Sequence, residues 1–348
     1  MKRPKIAIWS AVISAILFGA STPASKWILD SMQPFTLAGL LYLGAAVGVL
    51  PLIIKEKVYR SPQLYPAKTK KLLLGAILFG GIIGPALLLF GLATASSSSV
   101  SLWLNLELVT TALLGAILFR EHISINSILA VLGTVLASML LTVHEGSAGI
   151  IAGLLVLGAC VAWGFDNHFT SLIDGISPAL TTFWKGLIAG TVNLIIGIII
   201  EQPALGAGII AYALLIGVFA YGVSIVLYIG SSQHLGATRA QIIFGSAPFW
   251  GLLLSTVVLG EPISILQLVA AGLMVLSIAI LIREDHHHGH THMELEHEHW
   301  HSHSDGHHDH HGEESIPAWH SHPHHHHPVT HVHMHLPDLH HRHDHSSE

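Results

Sequence analysis

The sequence has a single cysteine, Cys160, set inside an apolar run, so neither a disulfide framework nor a cysteine-based zinc site is available. Charge is almost as scarce: 10% of the 348 residues are charged, against 51% hydrophobic and a mean hydropathy of +0.60. A soluble globular domain carries about 25% charged residues, so this composition places the chain in a bilayer. Catalytic signatures are missing as well. No His-Glu-x-x-His, serine–lysine or paired-aspartate motif falls in the apolar segments, so an enzyme is not expected. Nor is a nucleic-acid partner. The formal net charge of −6 hides two different regions, since residues 1–283 hold 14 Lys/Arg against 9 Asp/Glu and residues 284–348 hold 1 against 12.

What the sequence does contain is long hydrophobic runs. A membrane-crossing helix needs about 20 largely apolar residues, and runs of that kind fall near 6–29, 34–54, 72–92, 97–119, 124–142, 149–172, 178–200, 208–229, 235–259 and 263–282. The expected fold is therefore an all-α integral membrane protein with ten transmembrane helices. The first run follows a basic Met1-Lys2-Arg3-Pro4-Lys5, is longer than a signal-peptide core and lacks a clear cleavage site, so it reads as a retained span. Lys55, Lys57, Arg60, Lys68, Lys70 and Lys71 crowd one connection, and Arg120 and Arg283 follow the fourth and tenth runs. The opposite connections contain no Lys or Arg. By the positive-inside rule both termini are expected in the cytoplasm and residues 143–148 and 201–207 outside, in the plasma (cell inner) membrane.

The chain also repeats itself. Glu121-His122-Ile123-Ser124-Ile125 recurs as Glu261-Pro262-Ile263-Ser264-Ile265, each copy ending a fourth span and starting a fifth. Phe18-Gly19 and Trp163-Gly164 occupy the same place in spans one and six, and Pro34 and Pro178 each open the next span. Because five is odd, the second unit must sit upside down relative to the first, and inverted repeats are a signature of alternating-access transporters. The expected organisation is a first repeat over 1–142, a second over 148–283 and a tail over 284–348.

The two tandem repeats, the small-residue and glycine-rich first helix ending in Lys26 before Pro34, and the repeat-ending Glu121 and Glu261 together resemble the EamA type of the drug/metabolite transporter superfamily. The resemblance covers about 1–283. It implies a secondary transporter for a small metabolite, working in exchange for protons or by facilitated diffusion, without a required cofactor. A homodimer is compatible with that reading. The tail has no counterpart in the family pattern.

Charged residues inside a span are costly and usually face a cavity or a partner. Glu107 lies mid-span in Leu104-Asn105-Leu106-Glu107-Leu108, where a carboxylate is either a proton-coupling group or a structural glutamate bonded to Asn or Ser. Asp166, Asn167 and His168 lie in the cytoplasmic half of span six, and Lys185 lies about two turns inside span seven on the same side. An Asp166–Lys185 pair would build either a vestibule for a zwitterionic or anionic solute or a neutralised pair joining two helices. Lys26 and Asp30, one turn apart, would form an outer gate, unless Lys26 snorkels to the interface. Trp103 and Trp163, with Phe183, Trp184, Tyr221, Tyr228 and Trp250, are candidate pocket walls, several of which are expected instead to face lipid or to pack. Gly80-x-x-x-Gly84, Gly149-x-x-x-Gly153 and Gly186-x-x-x-Gly190 permit close helix contact, and Pro85 and Pro248 can free carbonyls. Glu121 and Glu261 stand at span ends on opposite faces, where they would either gate the two states or cap the helices that follow them, and capping is expected.

The tail holds 26 of the 30 histidines, including His286, His287 and His288, then His297, His299, His301 and His303, then His324, His325, His326 and His327. Neutral imidazole ligates zinc, nickel and cobalt, so these residues are expected to bind divalent metal in an otherwise unstructured segment. Two alternatives follow: a divalent-metal exporter whose tail collects ions, and a membrane anchor for a metal-storage tail.

Overall fold

The structure, a computed structural model, describes residues 3–56, 65–119, 125–173, 176–202, 206–235 and 243–282, and in the tail 287–292, 295–302, 319–326 and 329–334. Eight helices are long and apolar enough to cross a membrane. They are α1 (Ile6–Leu29), α2 (Pro34–Lys55), α3 (Ala67–Thr94), α4 (Ser97–Ile117), α5 (Ile128–Glu145), α6 (Ser147–Thr170), α7 (Pro178–Ile200) and α8 (Ala207–Tyr228). Two shorter apolar helices follow, α9 (Ala247–Leu259) and α10 (Ile265–Ile280). Pro34 and Pro178 do open α2 and α7, where proline's missing N–H costs nothing. The ninth expected span is described only in part: Ile243 and Phe244 are helical, a turn follows at Gly245-Ser246, and the helix resumes at Ala247, just before Pro248, which cannot donate to a carbonyl one turn back.

Four further interruptions shape the bundle. In α1 the helix breaks at Ala20, one turn before Pro23. In α4 it breaks at Leu104-Asn105, so that Glu107 stands in the first turn of the segment Leu106–Phe119. In α3 the segment Ala76–Ile83 widens to a π-helix, in which the Gly84 N–H bonds back to the Phe79 carbonyl. That register leaves the Gly80 carbonyl without its α-helical donor, and its π-helical donor would be Pro85, which has no N–H. A second π-helix, Gly217–Val223, lies in α8.

The helices pack in a pattern that survives exchanging α1–α5 with α6–α10. Helix α2 crosses α7, and α5 packs on α10. The π-segment of α8 rests on α2 and that of α3 on α7; α1 packs on α8 and α9, as α6 packs on α3 and α4. Glycines set the closest approaches: a Cβ on Gly186 would lie 2.6 Å from the Tyr42 carbonyl, and one on Gly190 2.7 Å from the Leu43 nitrogen. All three glycine pairs expected to mediate packing do face another helix.

One end of the bundle is tied by carboxylates that cap helix N-termini. The Glu201 carboxylate accepts from the Phe35 and Thr36 amides at 2.8 and 2.9 Å, and from the Thr36 hydroxyl at 2.6 Å. Glu145 accepts from the Ser96 amide at 3.2 Å and from its hydroxyl. Glu261 accepts from the Ser97 amide (2.9 Å) and hydroxyl (3.0 Å) and from the Ser98 amide (2.9 Å) and hydroxyl. Glu261 therefore caps α4 and not the helix after it, as had been expected. That helix caps itself: Ser264 and Gln267 exchange bonds at 2.9 and 3.1 Å, the reciprocal arrangement of a capping box. Glu121 lies outside the described residues.

Burial raises the Glu261 pKa, but the four hydrogen bonds outweigh it and hold the carboxyl below its ordinary value of 4.5. A folded pKa below the unfolded one adds stability above the unfolded value and loses it as pH falls through the folded value. Glu261→Gln is accordingly expected to destabilise the protein by about 1 kcal/mol at neutral pH, with the gap to wild type closing below about pH 4. Thermal unfolding in detergent against pH measures this, and a gap independent of pH would refute it.

The tail departs from the expectation of no regular structure. Strand β1 (His287–His292) pairs antiparallel with β4 (Val329–Met334), and β2 (Leu295–Ser302) with β3 (Trp319–His326). The alternation of histidine with other residues has the period of two that a strand requires. The register aligns His297 with His324, His299 with His322 and His301 with His320. His286, His303 and His327 lie outside the described residues.

Candidate solute site

Three of the expected site residues, Trp163, Asp166 and Lys185, gather around one carbonyl and its neighbour. The freed Gly80 carbonyl accepts from the Tyr42 hydroxyl at 2.5 Å and from the Trp163 indole at 3.1 Å. The next carbonyl, Gly81, is released by Pro85 and accepts from Asn193 at 3.0 Å. The carboxylate of Asp166 fills the space beside Gly80 that a Cβ would need, with its carbon and one oxygen 2.2 Å from that position. Asp166 in turn forms an ion pair with Lys185; the two side chains retain 9% and 15% exposure. The expected Asp166–Lys185 pair is thus present, and the π-segment of α3 is the surface on which it is assembled.

Glu107 stands nearby on α4. Its carboxylate accepts from the Asn167 amide at 3.0 Å; Asn167 also reaches the Thr111 hydroxyl (3.3 Å), and a His168 ring nitrogen lies 3.0 Å from the Thr111 carbonyl. Asp166, Lys185, Tyr42 and Tyr228 all lie within Coulombic reach of Glu107. Glu107, Phe18, Tyr228 and Phe244 are half-buried and Asn167 is exposed, although all lie in or beside membrane-length helices. Rings form a connected series, of which Tyr42 and Tyr221 are buried in the core: Tyr42–Tyr221 at 5.5 Å, Tyr221–Phe18 at 5.9 Å, Phe18–Phe244 at 5.3 Å and Phe244–Tyr228 at 4.7 Å between centroids.

Two expected site residues belong elsewhere. Trp103 is fully buried, its indole donating to the Ser138 carbonyl at 3.1 Å against α5, so it is a packing residue and not a pocket wall. Lys26 pairs neither with Asp30 nor with the interface. Its ammonium donates at 2.8 Å to the Leu92 and Ala95 carbonyls, the last turn of α3, where a cation meets the negative end of the helix. Among the described residues no group of three or more His, Cys, Asp or Glu is placed to hold a metal ion. Tyr42, Asn193 and Phe244 were not singled out from the sequence, Gly80 was named only as a helix-packing glycine and Phe18 only as a repeat position; Pro85, one turn beyond Gly81, was the available signal.

A bundle of apolar, broken helices around a sparse set of internal charges defines a multi-pass membrane protein of the transporter class. The EamA-like transporter family matches residues 5–143 and again 150–283, and the chain belongs to that family. Its members are transporters and not enzymes. Similar curated proteins include an uncharacterized transporter of Methanothermobacter thermautotrophicus, 27% identical over 78% of this chain and 84% of that one. Another is the uncharacterized transporter YyaM of Bacillus subtilis, 25% identical over 76% and 89%. A solved crystal structure with a TM-score of 0.59 and 16% identity covers 78% of this chain and 96% of its own, which supports the fold alone.

Proposed function

We propose that the protein is a secondary transporter that carries a small metabolite across the bilayer by alternating access, with Glu107 exchanging protons for solute. The observation that carries this reading is the half-buried Glu107 carboxylate, placed at the break of α4 and met by a neutral amide. A carboxylate in mid-membrane has few reasons to stay permanently ionised. The exchange of helix contacts between α1–α5 and α6–α10 supports two inverted five-helix halves, residues 1–142 and 148–283. The capping bonds of Glu145, Glu201 and Glu261, together with Lys26, fasten the end assigned to the outside. The polar cluster of Glu107, Asp166 and Lys185 is then assigned to the cytoplasmic half, on the side of the loop lysines and both termini.

Reconstituted protein is expected to show solute flux that depends on the pH gradient, and Glu107→Gln is expected to abolish that dependence while the protein still folds. Unaltered pH-dependent uptake by this variant would make the residue structural.

The proposal includes a tail that binds divalent metal, supported by the density of histidines and their aligned register. Full-length protein is expected to bind zinc or nickel at about pH 7.5 and to release it at about pH 5.5, on either side of the imidazole pKa of about 6.5. Isothermal titration of the full chain and of a chain ending at 283 checks this; equal binding by both would place the metal elsewhere.

A further inference from the structure

We infer that Glu261 is the latch of an outer gate: opening that end of the bundle releases its bonds to Ser97 and Ser98, while the seam tied by Glu201 stays shut. The inference rests on reading the protein as an alternating-access transporter with two moving halves, and it uses none of the groups around Glu107.

The ties at this end divide by what they join. Glu145 on α5 holds Ser96 at the start of α4, and Lys26 on α1 holds the Leu92 and Ala95 carbonyls at the end of α3. Both stay within the first half and survive any movement of one half against the other. Glu201 and Glu261 instead reach from the second half to helix N-termini of the first. Ties of that kind are the ones that opening can break.

The two crossing ties differ in what lies beneath them. Under Glu201 the backbones of α2 and α7 touch along their length. A Cβ would lie 2.6 Å from the Leu194 nitrogen at Gly39, 2.6 Å from the Tyr42 carbonyl at Gly186, 2.7 Å from the Leu43 nitrogen at Gly190 and 2.5 Å from the Thr36 hydroxyl at Gly197. A seam packed so closely over its length moves as one piece. Under Glu261 the glycine contact of α9 with α1 and α4 lies at a single level, where Gly251 meets Gly19 and Ser101. Outward of that level the halves are joined by side chains: besides the Glu261 bonds, Gln267 donates to Ser99 at 3.1 Å and Ser97 to Ser255 at 2.7 Å. A cavity of about 290 Å³ lined by Ser96, Glu145, Glu261, Ser264 and Gln267 adjoins these bonds, so water can take over donors and acceptors as they part. Glu261 follows Gly260, which turns the chain at φ 70°, so the carboxylate can swing out without unwinding a helix. Lys26, within Coulombic reach of Glu261, favours the closed latch.

The test is the reactivity of a reporter cysteine in full-length protein in detergent, where a maleimide reaches both ends and the assigned orientation has no influence. Cys160 is buried and is the sole native cysteine, so the unsubstituted chain supplies the background. Ser25→Cys reports on the gate: Ser25 is 2% exposed, on the part of α1 that packs against α4 and α9, and its hydroxyl has no hydrogen-bond partner among the described residues. Thr69→Cys, buried at the opposite end of the bundle, reports on general loosening. Added to Ser25→Cys, Glu261→Gln is expected to speed modification at least about tenfold, because the rate follows the open population, whereas Glu145→Gln and Glu201→Gln are expected to leave it within about twofold. Thr69→Cys is expected to respond to none of them. An unchanged Ser25→Cys rate in Glu261→Gln and again in Glu261→Ala would overturn the latch. Equal acceleration by all three glutamine substitutions, or acceleration at both reporters, would overturn it as well and leave Glu261 a stabilising cap. The transporter reading stands or falls on flux, so its failure would leave these rates as they are.

Discussion

Gly80→Ala is expected to abolish transport and to lower the unfolding temperature, because the new methyl group has no space that the site can yield without coming apart. An ideal Cβ at this position lies 2.2 Å from the Asp166 carboxyl carbon and one oxygen and 2.6 Å from the other. Two relaxations are open. Rotating the carboxylate away breaks the ion pair with Lys185; moving α3 away stretches the bonds that Tyr42 and Trp163 make to the Gly80 carbonyl. Overpacking of this kind costs about 1–3 kcal/mol, and either relaxation displaces a group of the candidate site. Solute affinity is therefore expected to fall at least about tenfold, in line with the loss of 1.4 kcal/mol or more. Gly272→Ala is the matched control, since nothing lies within 4 Å of a Cβ there. Thermal unfolding and proteoliposome flux of the two variants decide the matter, and wild-type behaviour of Gly80→Ala would remove the π-segment of α3 from the mechanism.

The importance of Gly80 shows where the sequence was legible and where it was not. Spans were readable because a bilayer imposes length and apolarity locally, and Pro34 and Pro178 mark their starts by a property of the residue itself. The Asp166–Lys185 pair was readable because two opposite charges inside neighbouring apolar runs have few alternatives. Gly80 was legible only as half of a packing pair with Gly84. Its role comes from a register shift over eight residues, Ala76–Ile83, and from Asp166 arriving on a helix more than 80 positions later. Trp103 failed for the converse reason: an aromatic residue in a span suits a pocket and a packing seam equally, and only the position of the Ser138 carbonyl decides between them. The caps were half legible. Glu261 was recognised as a capping residue, but which helix it caps depends on the packing of α4 against α9, which no local pattern encodes. Glu145 and Glu201 cap α4 and α2 across 49 and 166 positions and were not singled out. Lys26 was placed by its distance to Asp30, whereas its partners are carbonyls 66 and 69 residues away.

Breaking the Asp166–Lys185 pair from one side is expected to be far more damaging than removing it altogether. Each partner is at most 15% exposed, so Asp166→Leu leaves the Lys185 ammonium with its counter-ion gone, and Lys185→Met does the same to Asp166. An unpaired buried charge costs about 3–5 kcal/mol, whereas a well-packed apolar replacement of both partners is often neutral. The double variant Asp166→Leu/Lys185→Met should therefore unfold at a temperature near wild type, and each single variant well below it; the cycle isolates the pairwise interaction. Transport then separates the two roles left open by the sequence. Thr170 also donates to Asp166, at 3.1 Å, and the carboxylate occupies the space beside Gly80, so the pair fixes the polar groups near Glu107. A double variant that folds but carries no solute would show that these polar groups take part in transport. Full flux from the same variant would reduce the pair to a clamp between α6 and α7 and leave Glu107 as the one charge on which the candidate site depends.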